Sequence, residues 1–485
     1  MSPQANHIPG RLIVITLMLS FTSLAVGHLP AAEAWNQFRG ANSSGQAVGS
    51  ESLPTNIGPQ TNVIWKTPLP PGHSSPVITD DRIYLTAVRD ERLVTIALDR
   101  VTGKIIWETV APHARLEQIH RIGSHAQASP ASDGQMVVSF FGSAGLFAYD
   151  RDGQLLWQQK MGPFNNDFGA ASSPIIVDDL VILCQDHDTD SFLLALDKRT
   201  GETRWRTDRS EFLRNFCTPV VWEFSGRKHL VIAATLRVVG YDLATGQERF
   251  TIRGISRTVC MTPVVGDKNR LFVAGWAAGG DADSPIRLPV FNEVIMAHDA
   301  NKDRLLSEAE LPTGDIKQRY SQIDRDNDNQ IDEKEYEFFR SLFEQGRNLV
   351  MAIDPGAAGD STGTHIAWTS NRFVPFCASP VFHHGFLFTV KDGGIASLLD
   401  AETGKMLKTG RLPNTGEYYS SPVAGDGKIY CCNQAGQLSV ITAESAWKPL
   451  HTADFEEEIY ATPALVNGRV FLRTAGHLYC FGERR

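Results

Sequence analysis

The sequence is short of cysteine, of positive charge and of long apolar runs, and each shortage excludes something. Seven cysteines in 485 residues are too few to build a fold from disulfides. Lys and Arg number 46 against 55 for Asp and Glu, a formal net charge of −9. Neither a nucleic-acid backbone nor an anionic membrane is therefore an expected partner. Beyond the first 26 residues no segment approaches the roughly 18 apolar residues of a spanning helix. No His–Cys ligand spacing, phosphate loop or Ser-His-Asp set stands out. With 41 Gly and 25 Pro the chain is neither collagen-like nor broadly disordered. Its length suits two to four domains, or one large β-structure.

Residues 1–34 read as a secretory signal peptide. Arg11 precedes the apolar run Leu12–Val26, and Ala32-Glu33-Ala34 gives a small-x-small cleavage pattern. A membrane anchor is the alternative, but the run is short for a hydrocarbon core of about 30 Å and no charge cluster follows it. The first cysteine is Cys184, so no residue is placed to carry a lipid. The mature chain, residues 35–485, is expected to be a periplasmic or secreted monomer without a stable membrane anchor.

Internal repetition is the dominant pattern. A hydroxyl residue before proline, followed by an aliphatic residue or alanine, recurs at Ser75-Pro76, Ser129-Pro130, Ser173-Pro174, Thr218-Pro219, Thr262-Pro263, Ser379-Pro380, Ser421-Pro422 and Thr462-Pro463. The proline spacings are 54, 44, 45, 44, 117, 42 and 41 residues. A second motif follows: Ala97-Leu98-Asp99-x-x-Thr102-Gly103-x-x-x-Trp107, repeated from Ala195 to Trp205, with weaker copies at Ala148–Trp157, Gly240–Phe250 and Leu398–Lys408. Thr-Gly after Asp suits a tight strand-to-strand turn, and the tryptophan is placed to pack flat between sheets. Four short strands in about 43 residues, eight times over, predict an all-β, eight-bladed β-propeller. Val63-Ile64-Trp65-Lys66 precedes the first Ser-Pro, and the last blade ends at Leu478–Phe481 without a tryptophan. The early strand should therefore complete the last blade and remove the open sheet edges.

On these residues the chain resembles the quinoprotein-like (pyrroloquinoline quinone repeat) propellers, whose tryptophan-docking unit is Ala-x-Asp-x-x-Thr-Gly-x-x-x-Trp. The opening Trp35-Asn36-Gln37-Phe38-Arg39-Gly40 resembles the start of secreted bacterial members. The resemblance is specific for fold and weak for activity.

The long gap lies between the second and third strands of blade five, and residues 281–346 within it hold two acidic dodecamers. The first offers Asp299, Asn301, Asp303, Leu305, Ser307 and Glu310; the second offers Asp324, Asp326, Asp328, Gln330, Asp332 and Glu335. Oxygen side chains at positions 1, 3, 5, 9 and 12, a backbone carbonyl at 7 and an aliphatic at 8 form the EF-hand calcium pattern. Leu306 and Ile331 should pair the loops, with helices near 288–298, 314–323 and 333–345. Position 6 departs from glycine in both: Asn329 tolerates left-handed geometry and Arg304 tolerates it poorly. The second loop carries more carboxylates and is expected to bind more tightly; an acidic hairpin without metal is the alternative. Residues 281–346 hold 16 acidic and 8 basic residues, so nearly all the excess negative charge sits where a divalent cation would offset it.

The insert is expected on the same face as the segments leading into each Ser/Thr-Pro. Those segments include His120, Arg121 and His125; Asn165, Asn166 and Asp167; Arg214 and Asn215; Arg257; Arg372; Glu417, Tyr418 and Tyr419; and Glu456, Glu457 and Glu458. They suggest a mixed-charge funnel, with a ligand-free wet rim as the alternative. Two functions are open. The first is a calcium-binding scaffold or binding module taking a protein or polysaccharide partner at this face. It resembles the lipoprotein scaffold of the outer-membrane β-barrel assembly machinery, although the lipid-anchoring cysteine is missing. The second is a pyrroloquinoline quinone dehydrogenase oxidising an alcohol or sugar. The resemblance there implies calcium held at the quinone by Glu and Asn, an Asp base, and an adjacent-cysteine disulfide over the cofactor. Cys431-Cys432 are adjacent but fall in a predicted buried strand, and no Glu/Asn/Asp set can be assigned. The sequence thus favours calcium without the quinone, and a binding role over an enzyme. Cys260 and Cys377 occupy equivalent positions in neighbouring blades and are expected as free thiols.

Overall fold

The structure of the protein, a computed structural model, describes residues 1, 2, 35–49 and 51–483. The signal-peptide features expected over 1–34, including Arg11, the apolar run and the cleavage pattern, fall on residues 3–34, outside the described residues. Among the described residues no helix is long and apolar enough to cross a membrane.

Among the described residues the strands form eight sheets, each holding a blade of four antiparallel strands. Blade one holds Val77–Ile78, Arg82–Arg89, Arg92–Asp99 and Ile105–Ala111. The middle strands are largely buried because a neighbouring blade covers each face; Met136–Phe140 of blade two is buried along its whole length. Outermost strands alternate, as Thr203–Asp208 does in blade three, since one face meets solvent. Blade eight consists of Ala464–Val466, Arg469–Arg473, His477–Phe481 and the early strand Val63–Pro68. Trp65 pairs with Cys480 and Lys66 with Tyr479. The ring closes as the sequence predicts.

The Ser/Thr-Pro motif forms an inner hydrogen-bonded ring. The backbone N–H of Ser75 donates to Ser129 Oγ at 2.9 Å, that of Ser129 to Ser173 Oγ at 3.0 Å, and so on through Thr218, Thr262, Ser379 and Ser421. Thr462 N–H closes it on Ser75 Oγ at 2.9 Å. A small hydroxyl is needed because the side chain must accept across a blade boundary, and the proline ends the inner strand's ladder.

The second motif works at the outer radius. Trp107 Nε1 donates to the Arg151 carbonyl of blade two at 2.8 Å, and Trp157 to the Lys198 carbonyl of blade three at 2.8 Å. Trp65, Trp205 and Trp368 make the same bond to their next blades. Each indole lies against the glycine of that blade's turn: a Cβ on Gly201 (φ +73°) would sit 2.7 Å from Trp157. Where the motif is weak the contact is replaced. Blade four has Phe250 in the docking position, and Trp222 of its innermost strand bonds the Asn269 carbonyl at 2.9 Å instead. In blade six Lys408 Nζ donates to the Trp447 carbonyl.

The opening segment crosses one end of the ring. Trp35 bridges Ile78 of blade one, Asn36 accepts from Ser132 of blade two, and Asn42 exchanges two 2.8 Å bonds with Val221 of blade four. Arg39, fully buried, donates to the Pro380 carbonyl at 2.7 Å. With only carbonyl acceptors, burial pushes its guanidinium down to about 9.

Blade five is interrupted between Leu271–Gly275 and Leu349–Ile353. The intervening residues carry α1 (Phe291–His298), a short 3-10 turn (Lys317–Arg319), α2 (Tyr320–Ile323) and α3 (Glu333–Gln345). Phe291, Leu306, Ile331, Tyr336, Phe339 and Phe343 form their core, which also takes in Leu213 from the segment leading into blade four. All seven cysteines are free thiols, with Cys431 and Cys432 buried on Lys428–Cys432 of blade seven.

Candidate functional site

The two dodecamers are paired by an antiparallel bridge between Leu306 and Ile331. The N–H of Leu306 donates to the Ile331 carbonyl at 3.1 Å and that of Ile331 returns to Leu306 at 3.0 Å. Both loops fold alike. The position-12 glutamate turns back over each: Glu310 accepts from Ala300 N at 3.1 Å and Ser307 N at 2.9 Å, and Glu335 accepts from Arg325 N at 2.7 Å and Asp332 N at 3.2 Å. Positions 4 and 6 are left-handed in both, at Lys302 and Arg304 and at Asn327 and Asn329. Arg304 thus adopts the conformation that its side chain was expected to resist, held by a 3.0 Å bond from its N–H to Asp299.

The loops differ in how their charges are met. In the first, Asn301 Nδ2 donates to Asp303 at 2.8 Å and Ser307 Oγ to Glu310 at 2.7 Å. The Ser307 hydrogen bonds hold Glu310 below the usual carboxylate range. In the second, oxygens of Asp324, Asp326 and Asp328 lie within 4.8 Å of one another. Asp324 is 5% exposed, and its Oδ1 is buried without a hydrogen-bond partner. Burial, with Asp328 and Asp326 adding repulsion, raises its carboxyl above the ordinary value. Burial raises Glu335 as well. Asp332 completes a capping box on α3, accepting from Glu335 N at 2.7 Å. Gln330, at position 7, follows the triad, and its Oε1 is also buried without a partner.

Beside the insert the propeller encloses a cavity of about 440 Å³. Phe38 of the crossing segment reaches it, and six members of the hydroxyl ring line it: Ser75, Ser173, Thr218, Ser379, Ser421 and Thr462. Above them stand Phe168, Phe216, Trp276, Phe376, Tyr419 and Tyr460. His73 stacks on Tyr460 at 3.8 Å, and burial, then Arg473, pushes its imidazole down to about 3, so it is neutral. Three guanidiniums complete the wall, Arg214, Arg257 and Arg319, and among the described residues no Asp, Glu or Asn side chain lines it.

Of the rim residues singled out in the sequence, Arg214, Arg257 and Tyr419 reach the cavity. The others do not. His125 contacts the Glu117 carbonyl, Asp167 accepts from Arg214 at 3.2 Å, and Asn166 and Asn215 are buried in local hydrogen bonds. His120 packs on Phe168 and Arg372 on Phe373. Glu417 accepts from Tyr419 Oη, Glu458 from Gln434, and Glu457 from Thr474, Gly476 and His477. The inner cavity is therefore basic and aromatic rather than the mixed-charge funnel expected. Arg319 and Trp276 belong to the interrupted segment of blade five, and only their spatial return to the axis reveals them.

Residues 59–167 and 97–275 match the profile of the family described as outer membrane protein assembly factor BamB. No curated protein sequence matches the chain. Among solved structures, BamB from Moraxella catarrhalis is 13% identical with a TM-score of 0.54, covering 87% of this chain and 98% of that one. Quinohemoprotein alcohol dehydrogenase from Comamonas testosteroni is 13% identical with a TM-score of 0.56, covering 93% and 81%. The computationally designed Ika8 protein is 11% identical with a TM-score of 0.54, covering 90% and 100%. At these identities the likeness is one of fold. Together with the repeat these matches place the fold: the chain is an eight-bladed β-propeller similar to BamB and to the quinohemoprotein alcohol dehydrogenase.

Proposed function

We propose that this protein is an extracytoplasmic calcium-binding propeller that acts as a binding module, with calcium fixing the blade-five insert beside the cavity. The observation that carries the reading is the second loop. Three aspartates converge there, Glu335 is folded over them, and one buried carboxylate oxygen of Asp324 has no donor. Calcium takes six to eight oxygen ligands, and a buried carboxylate without a partner costs several kcal/mol unless a cation or donor meets it. Asp324, Asp326, Asp328, the Gln330 carbonyl, Asp332 and Glu335 would hold the ion in this loop. Asp299, Asn301, Asp303, the Leu305 carbonyl, Ser307 and Glu310 would hold a weaker one in the first.

The insert is tied to the propeller at several points, which supports a role in shaping that face. Arg325, inside the second loop, donates to the Ser210 carbonyl at 2.7 Å, and Leu213 enters the insert's core. The residues at the cavity do not fit a calcium-held quinone. Among the described residues the lining holds no carboxylate and, of amide side chains, only Gln127 and Gln322, and Cys431 and Cys432 are buried in blade seven. This favours a binding module over a dehydrogenase. The matched family profile is described as an outer membrane protein assembly factor, and a protein or polysaccharide partner at this face is in keeping with it.

Hydrogen exchange of the purified protein with calcium and with chelator tests the reading. Residues 281–346 should lose protection on chelation while the blades keep theirs. Unchanged exchange in the insert would count against it.

A further inference from the structure

The cavity wall is largely aromatic and apolar, and its charged side chains are the three arginines Arg214, Arg257 and Arg319. Arg214 and Arg319 have carboxylate partners: Arg214 Nε donates to Asp188 at 2.8 Å, and Arg319 to Asp315 at 2.6 Å. Arg257, between them, has none. Its Nη2 makes one long bond to the Ala278 carbonyl at 3.4 Å, its Nε is buried without a partner, and its plane lies 4.3 Å over Phe343. A half-buried cation without a counter-ion among the described residues is costly, and desolvation, then Arg319 and Arg214, pushes this guanidinium down to about 10. The ring hydroxyls point the same way. Each accepts a backbone N–H from the neighbouring blade, and among the described residues none of their protons meets a protein acceptor. What fits is rich in acceptors, negatively charged and flat enough to lie on aromatic faces.

We propose that this cavity binds an acidic sugar, with the oxyanion of a uronate or sulfate ester paired to Arg257 and the ring packed among Trp276, Phe376 and Tyr419 over the hydroxyl ring. Guanidinium groups suit such oxyanions because they offer planar, paired donors. The volume of about 440 Å³ lies in the range of small-molecule sites. The proposal also deepens the calcium reading and rests on it in one respect. Arg319 sits at the end of the 3-10 turn directly before α2, and α2 leads into Asp324. Tyr320, the next residue, bonds the Asn329 carbonyl of the second loop at 2.7 Å. A loop ordered by calcium therefore delivers Arg319 to the cavity, and sugar and calcium must raise each other's affinity equally.

Titration calorimetry with glucuronate, a glucose sulfate ester, glucose and inorganic sulfate tests this on the full mature protein, with calcium and with chelator. The charged sugars should bind, glucose should bind at least tenfold more weakly, and chelation should weaken the charged sugars severalfold. Arg257→Gln should weaken them tenfold or more while its melting temperature stays at or above that of the parent. Arg319→Gln should weaken them with calcium and change little with chelator. Equal binding of glucose, binding of inorganic sulfate as tight as the sugars, or no binding by the calcium-loaded protein would overturn the proposal. Calcium titrated alone separates the two readings. Calcium heat without sugar binding removes only the sugar site. Sugar binding without calcium heat removes the calcium reading and the coupling.

Discussion

Thr462 and Ser75 are 387 residues apart in the chain and joined by a 2.9 Å hydrogen bond from backbone N–H to Oγ. That bond closes a ring in which every blade's inner strand is tied to the next. Ser75→Ala leaves the Thr462 N–H buried and unmet, and should cost about 1–3 kcal/mol. The denaturant midpoint should fall with an unchanged slope, and Ser75→Thr should restore most of it. A loss no larger than that of an exposed serine would contradict a structural role for the ring.

The outer docking can be separated from simple backbone strain. Gly201 and Gly226 share a left-handed φ, +73° and +69°, but a Cβ on Gly201 meets Trp157 at 2.7 Å and one on Gly226 meets nothing within 4 Å. Gly226→Ala should lose roughly 1 kcal/mol from conformation alone. Gly201→Ala should lose clearly more, because the indole must leave its carbonyl partner. Equal losses in thermal unfolding would mean that the indole contact contributes little.

Acid should weaken the turns of the repeat. Asp197 accepts from Arg204 at 2.6 Å and from two backbone N–H groups, and the Arg204 bond is the chief cause holding its carboxyl down to about 2. Asp99 and Asp400 are lowered by the matching Thr102 and Thr403 bonds. A depressed folded value favours the charged form in the fold, so this stability is present above the unfolded value near 4 and is lost as pH falls toward 2. Asp197→Asn should be less stable than the parent at neutral pH, and the gap should narrow between about pH 4 and about pH 2. A gap independent of pH would refute the assignment.

The thiols should divide into two classes. Cys260 and Cys377 are half-buried on the cavity wall, whereas Cys184, Cys217, Cys431, Cys432 and Cys480 are buried. An alkylating reagent on the native protein should label the first pair before the rest. Reductant should change neither mass nor melting temperature, because Cys431 and Cys432 are not bridged.

The blade count, the closure by Val63–Pro68 and the position of the insert are legible in the sequence because each follows from a spacing along the chain. The pairing of the two acidic loops through Leu306 and Ile331 is legible for the same reason, since each loop is one dodecamer of the chain. The cavity is not. Arg319 belongs to the insert and Phe38 to the opening segment, and the fold alone brings them to one space. The acidic rim residues were misplaced because sequence cannot say which partner a carboxylate will turn to; Glu457 is taken up by Thr474, Gly476 and His477. Arg304 takes the left-handed conformation of position 6 because the loop's shared hydrogen-bond pattern outweighs propensity at one position.

Calcium titration of the parent beside Glu335→Gln and Glu310→Gln measures the central claim directly. The parent should show two sites, Glu335→Gln should lose the tighter one, and Glu310→Gln should keep it. No heat in the parent, or an unaltered isotherm in Glu335→Gln, would contradict it.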